Sequence, residues 1–191
     1  MISKGKALED LIDRANNNYM TRGIAYCDKV ETSTAKKTVQ DSKGKKSLKV
    51  VAFQAAPRVD YSGFLYAGDS FHFDCKETKD EKGLPLRGIR DNQVDFLRIA
   101  VAYNTTCFIV VYSSTFNTYY RIDGREVLDR WNLWKNFPGR RNINRITYMS
   151  MTRIRPREGI ALDYLQGFYM PGWPRAQLDD YTLGRYLDRK K

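Results

Sequence analysis

Residues 59–78 read VDYSGFLYAGDSFHFDCKET, and this run from Val59 to Thr78 decides the fold. Val59 to Tyr66 and Asp69 to Glu77 have the length and aromatic content of two strands, and Ala67-Gly68 between them is a hairpin signal. Successive side chains of a strand point to opposite sides. Phe71, Phe73 and Cys75 therefore share one face of the second strand, and His72, Asp74 and Lys76 share the other. The first face reads as core, which turns the Cys75 side chain inward and makes neighbours of Asp74 and Lys76. His72, the only histidine, reads as a surface or DNA-side residue rather than a ligand.

Upstream, Leu8, Leu11, Ile12, Ala15 and Tyr19 recur at helical spacing, with Ser3 as candidate N-cap and Gly23 just past the end. A short strand is expected over Ile24 to Lys29. From Thr34 to Arg58 the chain carries Lys36, Lys37, Lys43, Lys45, Lys46, Lys49 and Arg58 against the single acid Asp41, with a turn signal at Asp41-Ser42-Lys43-Gly44. A projecting basic hairpin is expected there, its cations placed to meet phosphate.

Downstream, Gln93, Phe96, Leu97, Ala100 and Val101 form a helical stripe between Ile89 and Ala102, so the polar Gln93 lies on the inward side and needs a partner. Thr106 to Ser113 is a continuous buried strand, and helix followed by buried strand after a hairpin is an α/β pattern. The core is expected to be complete near Trp134, with Trp131, Trp134 and Phe137 packed into it. Lys135 to Arg157 contains seven basic residues and no acid, and Tyr164 to Tyr186 is rich in aromatics, Pro and Gly. No internal repeat is visible.

The whole chain has 191 residues, 33 Lys and Arg against 22 Asp and Glu, and a formal charge of +11. That length suits one domain with an appendage, and the charge points to a polyanionic partner, nucleic acid before a membrane surface. Apolar runs such as Cys107 to Tyr112 are of strand length, and Met1 to Asp10 lacks an apolar leader, so a cytoplasmic protein without membrane spans is expected. Cys27, Cys75 and Cys107 lack metal-type pairing, which fits reduced thiols and makes zinc improbable.

An acid on one strand, a hairpin, then acid-x-Lys on the next is the arrangement of the PD-(D/E)xK nucleases; here it reads Pro57-Arg58-Val59-Asp60 and Asp74-Cys75-Lys76. Phosphodiester hydrolysis requires charge neutralisation at phosphate and a more acidic water, and a hard cation held by carboxylates supplies both. A lysine two residues after the second acid lies on the same strand face, where its ammonium can orient water or stabilise a developing oxyanion. Acid-x-Lys alone is a weak motif that also describes a solvated strand face bearing an ion pair.

The surrounding residues add specificity. Leu8-Glu9 with Asn16 and Tyr19, Lys29 to Thr32, Val59-Asp60-Tyr61-Ser62-Gly63, Phe73 to Thr78, Leu84-Pro85-Leu86 and Gln93-Val94 follow one another as the motifs of one family do. Weaker echoes are Gly139-Arg140-Arg141-Asn142-Ile143 and Leu162-Asp163-Tyr164-Leu165. In order and spacing the chain resembles the RecU-type Holliday junction resolvases, as a phage-like or otherwise divergent member. The resemblance implies a restriction-endonuclease-like α/β core, with a central mixed β-sheet flanked by helices and a protruding basic stalk at 34–58. The nuclease domain would span 1–168 and a C-terminal extension 169–191. It further implies a homodimer that makes paired cuts in four-way DNA junctions with Mg2+, for which Mn2+ can substitute, in recombination and repair alongside recombination proteins of the host.

Position by position, Asp60, Asp74 and Lys76 match the catalytic residues, Thr32 the active-site threonine, and Glu9 and Gln93 the flanking acid and amide. Asp60, Asp74 and the backbone carbonyl of Cys75 are the expected metal ligands. Asp74 stands where the family more usually has glutamate, and Glu31 and Ser33 where it has prolines. Glu9 also reads as a solvated helix residue, Thr32 as an ordinary strand threonine and Gln93 as a cap on a buried backbone group. A nuclease of ordinary duplex DNA and a non-cleaving DNA-binding or annealing protein on the same fold stay open as alternatives.

Overall fold

The computed structural model describes residues 4–30, 34–40, 44, 46–53, 59–140 and 143–169. Helix α1 (Lys4–Thr21) buries Leu8, Ile12, Ala15 and Tyr19 along one side. It stops at Gly23, whose φ of 62° lets the Ile24 N–H reach back to the Tyr19 carbonyl at 2.9 Å. Strand β1 (Ala25–Lys29) then forms one edge of the central sheet.

The run that decides the fold forms β4 (Tyr61–Leu65) and β5 (Ser70–Thr78), antiparallel and joined by a turn with Gly68 at φ 92°. Gly63 is needed where β4 passes under β1, since a Cβ there would lie 2.2 Å from the Tyr26 carbonyl oxygen. Helix α2 (Asp91–Ala102) carries the chain over to β7 (Thr106–Ser113), which pairs parallel with β5. A helix is the usual way to cross between parallel strands. Antiparallel β8 (Thr118–Asp123) follows, then α3 (Gly124–Asn136), whose N-cap Asp123 accepts the Arg125 N–H at 2.8 Å. The short β10 (Thr152–Arg153) closes a six-stranded mixed sheet in the order β1-β4-β5-β7-β8-β10. Between α1 and α2, β2 (Thr34–Gln40) and β3 (Lys46–Phe53) pair only with each other, and β6 (Leu84–Pro85) pairs with β9 (Arg145–Ile146).

Each face of the sheet has its own core. Phe71, Phe73, Phe108 and Val110 pack under α1, while Ile109, Val111 and Ile122 pack under α2 and α3. The expectation that the core is complete near Trp134 is overturned. Ile154, Ile160, Leu162, Tyr164, Leu165 and Tyr169 finish the face beneath α1. Those residues sit in irregular backbone, where burial follows no period a sequence pattern can reveal. Arg121 pins the segment, donating to the Tyr164 and Gln166 carbonyls at 2.8 and 2.7 Å with its guanidinium 4.2 Å over Phe168. Beneath it, Asp163 accepts the Tyr19 hydroxyl at 2.8 Å and the Tyr169 hydroxyl at 3.1 Å. Trp131 is buried and Trp134 half-buried as expected, but Phe137 is 49% exposed, because it lies just past the end of α3 with Arg140 over its ring. No helix among the described residues is long and apolar enough to cross a membrane.

Candidate active site

The hairpin register sets Tyr61 opposite Phe73, so one step further places Asp60 beside Asp74. Asp60 is fixed there by accepting the Cys75 backbone N–H on Oδ2 at 2.9 Å. Asp74 is buried, 2% exposed, and its Oδ1 has no hydrogen-bond partner among the described residues. Burial, and then the negative charge of Asp60, push its carboxyl up from 3.8 to about 7, against the opposing pull of Lys76. A buried, unsatisfied carboxylate oxygen facing a second carboxylate is costly unless a cation or proton lies between them.

Lys76 shares the Asp74 face, as alternation requires, and its Nζ donates to Gln93 Oε1 at 3.0 Å. Gln93 is buried on α2, and the same oxygen also accepts the Arg90 N–H at 3.1 Å. The amide expected on the inward stripe thus both caps the helix start and holds the ammonium. Cys75 turns its thiol against the core, where burial and then the charges of Asp60 and Asp74 raise its pKa far above the usual value.

Glu9 on α1 keeps a partly exposed side chain and takes Lys29 Nζ on its Oε2 at 2.7 Å. Partial burial works to lower the Lys29 pKa, but the Glu9 hydrogen bond and the charges of Glu9, Asp13 and Asp60 outweigh it and raise it. Lys29 is therefore a cation at the rim of the site that the sequence reading did not single out. The available signal was the Lys29 to Thr32 segment of the resemblance, and the fold sets Lys29 opposite Tyr61, next to Asp60.

His72, expected at the surface or DNA side rather than as a ligand, is half-buried. Its Nδ1 lies 3.0 Å from Ser62 Oγ and its ring meets the edge of Phe96 at 5.3 Å, and burial lowers its pKa. Phe96 reaches it from α2, a tertiary contact that strand alternation cannot foresee. Thr32, Lys43, Lys45 and Arg58 lie outside the described residues. For Lys36, Lys37, Lys46 and Lys49 the backbone alone is described: Lys37 stands opposite Lys49 and Gln40 opposite Lys46.

The donor set suits a hard cation. Among the described residues no three His, Cys, Asp or Glu side chains converge to hold a metal, so the candidate centre is the pair Asp60 and Asp74 with backbone and solvent oxygens. Magnesium is commonly held this way, by one or two carboxylates while keeping several waters.

The Holliday junction resolvase RecU of Bacillus cereus strain B4264 is 27% identical over 144 residues, 75% of this chain and 71% of that protein. The proteins of the same name from Bacillus mycoides strain KBAB4 and Bacillus anthracis strain CDC 684 are 27% and 26% identical over the same shares. The family model for Recombination protein U, RecU, matches residues 3–169, and on that match the chain belongs to the RecU family.

Proposed function

We propose that this protein is a magnesium-dependent endonuclease that resolves four-way DNA junctions by paired phosphodiester hydrolysis, with manganese able to replace magnesium. One observation carries the chemistry: the buried Asp74 oxygen without a partner among the described residues, beside Asp60 and on the same strand face as a lysine held by Gln93. Asp60 and Asp74 would hold the cation. When bound, it neutralises phosphate charge and makes a coordinated water more acidic. Asp60 keeps its place through the Cys75 N–H, and Gln93 keeps Lys76 on the Asp74 face rather than free in solvent. Lys76 is then placed to donate to the attacking water or to the oxyanion that develops on phosphorus. His72 serves the hairpin through Ser62 and takes no part.

The junction as substrate is supported by relatives whose name is Holliday junction resolvase RecU. Two related phosphates in a twofold junction are cut most simply by a twofold dimer, so the working form is a homodimer. The deciding experiment incubates the protein with a synthetic four-way junction and a matched linear duplex, with and without magnesium. Paired nicks in the junction, only with metal, are expected. Equal cutting of linear duplex would replace this function with that of an ordinary duplex nuclease, and binding without cutting would leave a DNA-binding protein on the nuclease fold.

A further inference from the structure

Past Lys76 the end of β5 opens into a groove of about 350 Å3 whose walls include Lys76, Glu77, Lys79, Asp80 and Arg87. Asp80 and Arg87 also border a second hollow of about 210 Å3, which reaches Arg145. Asp80 is not free to oppose an anion: Arg145 Nη1 bonds both its carboxylate oxygens, at 2.9 and 3.0 Å. Lys79 and Arg87 are exposed, and neither has an ion pair or a side-chain hydrogen bond among the described residues. One acid, Glu77, remains on the wall against three cations.

Both cations stand on fixed backbone. The Lys79 carbonyl accepts Thr115 Oγ1 at 2.7 Å, tying the end of β5 to the turn after β7. Arg87 sits in a single 3-10 turn anchored by the fully buried Leu86, whose N–H donates to the Asn144 carbonyl at 2.9 Å. Two unpaired cations held at fixed positions in a groove that begins at the candidate catalytic lysine form a site for a chain of phosphates. Lys79 follows Lys76 by three residues, a reach of about 10 Å along extended chain, or about three nucleotide steps of DNA rise.

We propose that this groove is a DNA-backbone track, separate from the basic hairpin, in which Lys79 and Arg87 grip phosphates within a few nucleotides of the scissile one and set which bond lies over Asp60, Asp74 and Lys76. It rests on the nuclease function proposed above, and deepens it by naming positioning residues that neither strand alternation nor the family motifs pointed to.

The test measures Lys79→Ala/Arg87→Ala for binding to a four-way junction and to linear duplex in chelator, across a salt series, then for cleavage in magnesium. Lys82→Ala, the loss of an exposed cation outside the groove, is the control, and Arg87→Lys tests rescue by charge. Loss of two phosphate contacts should weaken binding to both DNAs about tenfold or more and reduce the slope of log affinity against log salt by about two. KM should rise more than kcat falls, the cut should spread to neighbouring bonds, and Arg87→Lys should restore most of the affinity. A double variant with wild-type melting temperature, affinity, salt slope and cut position overturns the track. Binding in chelator reads the groove whether or not the protein cuts, so a wild type that binds but never cuts overturns the nuclease function alone. A wild type that binds neither DNA overturns both.

Discussion

Asp74 and Asp163 are both buried carboxylates whose pKa is raised, above all by burial, yet their surroundings differ. Asp163 spends one oxygen on the Tyr19 hydroxyl and the other on the Tyr169 hydroxyl, with Arg157 and Arg121 adding favourable charge. Asp74 has an oxygen with no partner among the described residues and a second acid beside it. The first is a closed account: each carboxylate oxygen that burial strips of water meets a donor, and the result joins α1 to the end of the core. The second is left open, and an open buried acid survives in a fold when something binds there. Burial alone therefore does not separate the two acids; what separates them is that Asp163 is satisfied and Asp74, among the described residues, is not.

The sharpest way to break this contrast is at the metal pair. Asp60→Asn or Asp74→Asn removes a charge that a divalent cation needs, so cleavage should fall by about 10^3-fold or more. DNA binding in chelator should be unchanged or tighter, because a negative charge facing phosphate has gone. Near wild-type rates in a gel-based junction assay for either variant would remove the pair from the chemistry.

A smaller effect separates the two acids by pH. Asp74 has a folded pKa of about 7 against an ordinary 3.8, so in that window the folded protein binds more protons than the unfolded chain. Stability is then full below about pH 4 and falls as pH rises through 7, by on the order of 4 kcal/mol for this group. In chelator the melting temperature should drop between pH 4 and 7.5. Magnesium should restore it at the upper end, since binding to the folded form alone adds stability. Asp74→Asn should flatten most of the drop, leaving a smaller fall from Asp163 opposed by the rise that the lowered His72 pKa contributes. Melting curves that ignore both pH and magnesium would show that the Asp74 oxygen is not waiting for a cation.

The parts of this centre that could be read from sequence are those set by short-range periodicity. Period two along β5 brings Asp74 and Lys76 to one face, and the helical period of α2 turns Gln93 inward; the two groups then meet at 3.0 Å. Contacts between distant elements were not legible. Phe96 against His72, Glu9 on Lys29 and the irregular segment from Ile154 to Tyr169 depend on how the sheet and helices assemble. Phe137 misled for a related reason: an aromatic just past a helix end matches the composition of a core without occupying its inward stripe. Asp163 belonged to a motif echo, Leu162-Asp163-Tyr164-Leu165, but its partner on α1, Tyr19, lies more than a hundred residues away and only the fold reveals it.

The smallest expected effect completes the contrast from the other side. Asp163→Ala removes the acceptors of two tyrosine hydroxyls, one of them on Tyr19, which is fully buried and also accepts the Leu165 N–H at 3.1 Å. The Tyr19 hydroxyl then has a proton and no acceptor, a loss of about 1–3 kcal/mol, or a fall of several degrees in melting temperature for a chain of this size. No atom of Asp163 belongs to the Asp60, Asp74 and Lys76 cluster, so cleavage per folded molecule should hold near wild type at a temperature where the variant is fully folded. Asp74→Asn should behave in the reverse way, inactive yet no less stable in chelator at pH 7.5. Thermal melts and single-turnover cleavage of a four-way junction on the same two preparations would show the crossing. If Asp163→Ala lost cleavage while keeping its melting temperature, the closed network would belong to the chemistry and the distinction between the two acids would fail.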